Sequence, residues 1–327
     1  MTGNRTIAAR AAALMPALLL CLAPAAPSCR AQGFDAGSAG TSSAQFLKLA
    51  SGARGAALGE AYSALADDAF ALDWNPAGLI NVKTNSMVFM HSAYLAETTL
   101  DYFAYAETAG DVGAWGVSFK YMNFGKMSQT DSSGLETGSF TPFDSAVNVG
   151  FSCYITGFNK DPEERFVLGA TGKFVRAQVK NSDNTVSADL GLLFPYMFDN
   201  RFRLSLAAQN IMGTLRYDKE DATLPLILRL GSATRLTELL TLTADIIAPR
   251  DNLPFLAMGT ELKLPFSAST DAFLRGGFNT RAISDLGGTR NISMGAGLRY
   301  DKYWLDYAFS PFGDLGSVHR ISASLTF

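Results

Sequence analysis

Phe202-Arg203-Leu204-Ser205-Leu206-Ala207-Ala208-Gln209 is the stretch that decides the fold. Phe202, Leu204, Leu206 and Ala208 recur at every second position, with Arg203, Ser205 and Gln209 between them. That period is the period of a β-strand, whose successive side chains leave on opposite faces. One face is apolar and the other carries charge. The same grammar recurs downstream. Leu224, Leu226, Leu228 and Leu230 alternate with Pro225, Ile227, Arg229 and Gly231, and Leu240, Leu242, Ala244 and Ile246 alternate with Thr241, Thr243 and Asp245. Leu256, Met258, Leu262 and Leu264 oppose Glu261 and Lys263. Ile292, Met294, Ala296 and Leu298 oppose Asn291, Ser293 and Arg299, and the chain closes with Ile321, Ala323, Leu325 and Phe327 against Arg320, Ser322, Ser324 and Thr326.

Composition says what the two faces meet. The 327 residues are 48% hydrophobic and only 17% charged, against about a quarter charged in ordinary soluble domains. Yet beyond residue 30 no apolar run approaches the roughly 20 residues that a membrane-crossing helix needs. Hydrophobicity spread thinly over short alternating segments suits strands that show hydrocarbon on one face. The expected fold is therefore all-β: a membrane β-barrel of about 14 antiparallel strands, an even number as such barrels require. The strands are expected to begin near residues 86, 99, 112, 143, 166, 185, 202, 224, 240, 254, 270, 291, 303 and 319. If the first strand runs outward, the inward links Thr108–Asp111, Pro195–Arg201, Thr234–Leu239, Pro265–Ser269 and Asp301–Lys302 are short. The outward links Asn123–Pro142, Asn210–Thr223, Asn279–Arg290 and Ser310–Val318 are longer, which is the habit of outer-membrane barrels. Thr156–Arg165 is long for its side. Tyr300, Tyr303, Trp304, Phe309 and Phe312 are candidates for interfacial girdles.

If the leucines meet lipid, their neighbours face an enclosed lumen. Those neighbours include Lys120, Lys173, Asp189, Arg203, Arg229, Asp245, Glu261, Lys263, Asp271, Arg275, Arg299, Asp306 and Arg320. An Arg or Lys facing lipid at mid-membrane would cost about 2–4 kcal/mol, so these charges must point inward and pair.

The front of the chain reads differently. Arg5 and Arg10 precede the apolar Ala11–Ala26, and Cys29-Arg30-Ala31 is an acceptable cleavage site, so residues 1–31 have the layout of a secretory signal peptide. Net charge is −3, and losing that leader, with Arg5, Arg10 and Arg30, leaves −6. No basic excess survives, and nucleic-acid binding is excluded. Of Cys21, Cys29 and Cys153 only the last would remain, which excludes a disulfide framework and a cysteine metal site.

Residues 32–84 do not alternate. Gln45–Leu49 suggests a short helix, Gly52–Gly59 is too rich in small residues for a stable isolated helix, and Asp73–Leu79 reads as a turn because Asn75 precedes Pro76. Small residues let backbone lie against backbone, as a segment threaded through a barrel requires. The expected organisation is a plug over 32–84 and a barrel over 85–327. Arg54, Glu60, Asp67 and Asp68 are candidate partners for the lumen charges.

Three ordered blocks carry a resemblance: Gly55-Ala56-Ala57-Leu58-Gly59-Glu60-Ala61-Tyr62, Ala66-Asp67-Asp68-Ala69 and Asn75-Pro76-Ala77-Gly78. Together they resemble the N-terminal hatch of FadL-type hydrophobic-compound transporters. With Phe46-Leu47, Gly52-Ala53-Arg54 and Trp74 added, they are similar to the PorV/PorQ family of outer-membrane proteins. The resemblance implies a bacterial outer-membrane location and a plug motif of Arg54, Gly59, Tyr62, Asp67, Asp68, Asn75, Pro76, Ala77 and Gly78, structural or gating. It implies one of two functions. The first is a role in type IX secretion, binding the C-terminal signal domains of exported proteins and other secretion components. The alternative is a FadL-like channel for hydrophobic small molecules, with a lateral opening at a kinked strand for which Gly276-Gly277 is a candidate. Outer-membrane lipid is a partner in either case.

No enzyme is expected. There is no G-x-S-x-G, H-E-x-x-H or P-loop. His91 and His319 read as wall or rim residues and Cys153 as an apolar wall residue. Asp131 and Asp183 are placed in loops without a spaced ligand set, so neither a metal nor a cofactor is expected.

Overall fold

A computed structural model of the chain describes residues 33–156, 161–179, 182–217, 220–281 and 291–327. The leader, Gln32 and most of the Asn279–Arg290 link lie outside the described residues.

Fourteen strands form a closed antiparallel barrel: β1 (Asn85–Ala93), β2 (Thr99–Thr108), β3 (Ala114–Asn123), β6 (Phe143–Tyr154), β7 (Val167–Gln178), β8 (Ser182–Leu193), β9 (Phe202–Gln209), β12 (Ile227–Arg235), β13 (Leu240–Pro249), β14 (Phe255–Ser267), β15 (Thr270–Asn279), β16 (Ile292–Tyr300), β17 (Tyr303–Pro311) and β18 (Ser317–Thr326). Each wall strand pairs with its neighbours in the chain, and β1 closes on β18, from Ser86 opposite Thr326 to Ala93 opposite His319. Two hairpins, β4 (Met127–Thr130) with β5 (Glu136–Phe140) and β10 (Thr214–Tyr217) with β11 (Glu220–Thr223), rise from the two longest described links. Closure leaves no unpaired edge in the bilayer, where no water could satisfy it.

The outer surface is apolar. Phe89, Phe103, Phe119, Val149, Phe174, Leu206, Leu228, Leu230, Ile246, Met258, Leu274 and Ile321 are all exposed. Their alternates Lys120, Lys173, Asp189, Arg203, Arg229, Asp245, Glu261, Asp271, Arg275, Asp306 and Arg320 are buried. A water-soluble protein would invert this order. A closed barrel with an apolar belt spans a membrane, and barrels of this architecture are those of bacterial outer membranes. The protein is an outer-membrane barrel.

Several details differ from expectation. β12 begins at Ile227, so Leu224 is not on the lipid face but buried in the interior beside Gly213. Asp183 belongs to strand β8, where it accepts the Arg216 amide, rather than to a loop. Trp304 shares the inward face with Asp306 and stacks on Phe273 with ring centroids 5.2 Å apart. Phe312 meets Tyr94 edge to face. Neither belongs to a lipid-facing girdle. Gly276 and Gly277 do not kink β15, which pairs regularly with β14 and β16 through both positions.

The residues before β1 run inside this wall. Phe34 bonds to the Arg250 carbonyl and Ser43 to that of Thr223, both at the end that carries the two hairpins. The segment descends through a 3-10 turn (Gln45–Lys48), an α-helical turn (Ala53–Ala57), a second helical turn (Ala71–Trp74) and a 3-10 helix (Pro76–Asn81) before entering β1 at the opposite, short-turn end. The small-residue stretch that would not hold a helix alone does so here because the wall satisfies its ends. Ser322 Oγ accepts the Ala53 amide at 2.8 Å, and Ser293 Oγ donates to the Ala57 carbonyl at 3.1 Å.

Candidate functional site

The lumen is the site, and three features define it. The first is a contact of backbone against wall. Asn75 is extended (φ −159°, ψ 106°), as a residue before proline must be. Its Oδ1 accepts the Ala77 amide at 3.1 Å, so it caps the 3-10 helix that follows instead of merely turning the chain. Its Nδ2 donates to the Leu206 carbonyl in β9. The fit depends on glycine in the wall: a Cβ on Gly191 would stand 2.0 Å from Asn75 Oδ1, and one on Gly169 would stand 2.1 Å from the Ala77 amide nitrogen.

The second feature is a set of ion pairs that pins the segment. Arg54 donates through Nε to Glu261 Oε2 at 2.8 Å and through Nη2 to Oε1 at 2.9 Å, a fork matched to a carboxylate. Its Nη1 reaches Asp67 at 2.7 Å. Arg275 joins the same Glu261 from β15 at 2.6 Å and continues to Asp306. Burial disfavours the Arg54 charge, but the Asp67 and Glu261 carboxylates outweigh it and hold the guanidinium firmly protonated. Lys120 is fully buried and donates to Asp73 at 2.8 Å and to the Leu49 carbonyl at 2.6 Å. Burial pushes the Asp73 carboxyl up, yet Lys120 and Lys173 more than reverse it and hold the group below its usual range. Asp245 accepts the Ser63 amide, Glu60 pairs with Arg281, and Arg229 lies over the Trp74 ring at 5.0 Å. Asp271 is held by Arg299 and Lys263.

The third feature lies below the hairpins. Leu49, Ile227, Ile247, Pro249 and Phe255 form the apolar lining of a partly open cavity of about 170 Å3, completed by Gln45, Lys48, Arg229, Asn252 and Arg281. The polar groups at its edge are engaged elsewhere: Lys48 with Asp251, Arg281 with Glu60, and Arg229 with Gln209. What faces the void is largely apolar. The wall pairs least between β8 and β9. β8 and β9 share only the pairs from Leu190–Ala208 to Leu193–Ser205, whereas β7 and β8 pair along twelve positions. The ladder breaks at Asn210, which adopts a left-handed φ of 56°. Asn210 Oδ1 accepts from Lys173 at 3.0 Å, and its amide donates to Asp189 at 2.7 Å.

The sequence-predicted residues Arg54, Glu261 and Arg275 thus meet in one network, with Asp67 at its edge. Tyr62 packs edge to face on Trp74, centroids 5.6 Å apart. Gly59, at φ +67°, presses its backbone on Phe278 and Gly277, so Gly277 serves close approach and not a kink. Gly78 lies against the Ala66 carbonyl. Arg203 binds Asn81 at 2.9 Å. Asp68 departs from expectation: it pairs with no wall charge among the described residues and caps the Phe70 amide of its own segment. Asp73, Asn210, Ile247 and Phe255 were not singled out from sequence. The inward parity of Ile227 and the doublet Ile246-Ile247, apolar on both faces, are the signals in the sequence of an apolar patch inside.

A family model matches residues 21–202, more than half the chain. The chain belongs to the uncharacterised protein family UPF0164. No curated protein is significantly similar to it in sequence. Among solved structures, this UPF0164 member is similar to a deletion mutant (deltaS2) of the monoaromatic hydrocarbon channel TodX, with TM-score 0.54 and 14% identity over 84% of this chain and 97% of that one. It is also similar to a Pseudomonas aeruginosa FadL homologue (0.53, 11%, 85% and 98%) and to the Pseudomonas putida toluene transporter TodX (0.53, 12%, 85% and 98%). At these identities the likeness is one of fold. It extends to the FadL-like transporter barrels and not by name to PorV/PorQ proteins.

Proposed function

We propose that this UPF0164 member is a channel that admits small hydrophobic molecules to the outer membrane, with the segment before β1 as its hatch. The observation that carries the reading is the cavity whose apolar side is formed by Leu49, Ile227, Ile247, Pro249 and Phe255. A cavity of about 150 Å3 suffices for a benzene-sized guest, so the void has the size for a single-ring or short-chain hydrocarbon against its apolar side. The fold shared with proteins titled as a monoaromatic hydrocarbon channel and a toluene transporter supports the same reading. The thin seam between β8 and β9 at Asn210 is a route by which a guest would leave sideways into lipid, because few ladder bonds need part there. A secretion-associated role, binding exported proteins at the hairpin rim, rests on the sequence resemblance alone, and no structural feature favours it.

Toluene titrated into the detergent-solubilised protein, followed by calorimetry, tests the proposal. Saturable binding that Ile247→Trp abolishes, with the heat-modifiable barrel intact, is the expected result. Absence of saturable binding, or binding indifferent to Ile247→Trp, contradicts it.

A further inference from the structure

The short-turn end holds a second and larger cavity, of about 540 Å3, between the wall and the last part of the inner segment. Its volume falls in the range of small-molecule sites, about 300–1,000 Å3. Its chemistry is unlike that of the apolar void. Lys83, Arg201, Arg203 and Arg235 line it, with Asp67 and Glu163 as the carboxylates. Asp67 is already held by Arg54 at 2.7 Å. Among the described residues none of the four cations makes an ion pair with a carboxylate, so Glu163 stands against all of them. The wall brings three together. Ala233 pairs with Arg203 across β12 and β9, and the Arg235 amide donates to the Arg201 carbonyl at 2.7 Å.

Arg203 makes the arrangement costly without a ligand. It is 3% exposed, and its bonds go to neutral oxygens, Asn81 Oδ1 at 2.9 Å and the Phe194 carbonyl at 3.2 Å. Its guanidinium lies 4.4 Å from the centroid of the Tyr196 ring, which orients the fork but adds no negative charge. A buried cation is ordinarily paired. Arg275 with Glu261 and Lys173 with Asp189 keep that rule, whereas Arg229 and Arg320 are likewise buried without a carboxylate ion pair among the described residues, so what sets Arg203 apart is the cavity it lines together with three further cations. Here a buried guanidinium forms the floor and three exposed cations form the rim. Planar forks of this kind match carboxylate and phosphate oxygens.

We infer that this cavity is a binding site for a small multivalent anion bearing phosphate or several carboxylates. The site is independent of the apolar cavity, and it stands whether or not hydrocarbons pass through the barrel. It also touches both bodies of the lumen, since Asn81 of the inner segment orients Arg203 of the wall.

Inorganic pyrophosphate and citrate are the probes, titrated by calorimetry into the full-length protein in neutral detergent. Nanodiscs with and without phosphatidylglycerol are parallel arms that separate a soluble anion from a lipid headgroup. The expected result is saturable binding of at least one probe that weakens with added salt. Arg203→Gln should weaken it at least tenfold, as should the exposed pair Arg201→Gln/Arg235→Gln, which leaves the interior untouched. Arg216→Gln, from an exposed hairpin ion pair, should leave it unchanged. Heat-modifiable mobility reports that each variant is folded. Failure of both probes to bind, binding by the Arg203→Gln and Arg201→Gln/Arg235→Gln variants as tight as the parent's, or binding confined to phosphatidylglycerol discs overturns the inference.

Discussion

At the scale of single residues, Glu261 carries the most. It receives Arg54 from the inner segment and Arg275 from the wall, so its loss takes one carboxylate from two buried guanidinium groups and leaves them Asp67 and Asp306. The charge network stays balanced, but hydrogen bonds from two buried donors to a shared carboxylate are weakened, and Glu261→Gln should destabilise the protein by about 1–3 kcal/mol. The measurement is the urea midpoint in detergent. Asp68 behaves in the opposite sense. Burial, then the neighbouring Asp67 carboxylate, raises its carboxyl to about 7, while Arg54 and the Phe70 amide pull back only in part. The folded protein therefore binds this proton more tightly than the unfolded chain. Stability from Asp68 is fully present below the ordinary carboxylate range and is lost as pH rises to about 7. Asp68→Asn should flatten that part of the stability profile between pH 5 and 8 and leave the variant the more stable of the two at pH 8. A profile unchanged by the substitution would show that Asp68 does not titrate there.

At the scale of elements, strands were legible and the inner segment was only partly so. All fourteen wall strands were foreseen because lipid on one side and a polar interior on the other impose a strict period of two, and Leu228-Arg229-Leu230 leaves no other reading. Leu224 misled because its spacing continues that pattern across Pro225, while the ladder itself starts only at Ile227. Trp304 misled because an aromatic near a strand end fits a girdle equally well, and only the parity with Asp306 turns it inward. The ion partners of Arg54 were beyond the sequence: Glu261 lies 207 residues away, and alternation gives a face but not the strand across the lumen. The cap at Asn75 was half visible. Its dipeptide with Pro76 dictated an extended residue, but not the glycines that make room for it. Gly191→Val should force the Asn75–Ala77 contact apart, because its Cβ alone would fall 2.0 Å from Asn75 Oδ1. Overpacking of this kind costs about 1–3 kcal/mol. In planar bilayers the variant should pass more ion current than the parent, since the segment would no longer seat.

At the scale of the whole molecule, the barrel and its filling depend on each other. The wall charges that hydrocarbon forbids on the outside are neutralised inside, in part by one another and in part by a segment whose small residues could hold no structure alone. Two unlike cavities remain between wall and segment: one with an apolar side near the hairpins and a basic one at the short turns, with Ser63 bonded to Asp245 and Ser205 between them. The most direct test is thiol labelling in native membranes. Single cysteines would replace Ser205 and Ser322, which face the filled lumen, and Leu206 and Ile321, which face lipid, in a Cys153→Ala background. The account predicts that a charged, membrane-impermeant thiol reagent leaves all four unmodified, while a lipid-soluble maleimide labels positions 206 and 321 alone. Rapid reaction of positions 205 and 322 with the charged reagent would reveal an open, water-filled lumen. Reaction of positions 206 and 321 with it would place that face in water, and either outcome contradicts the account.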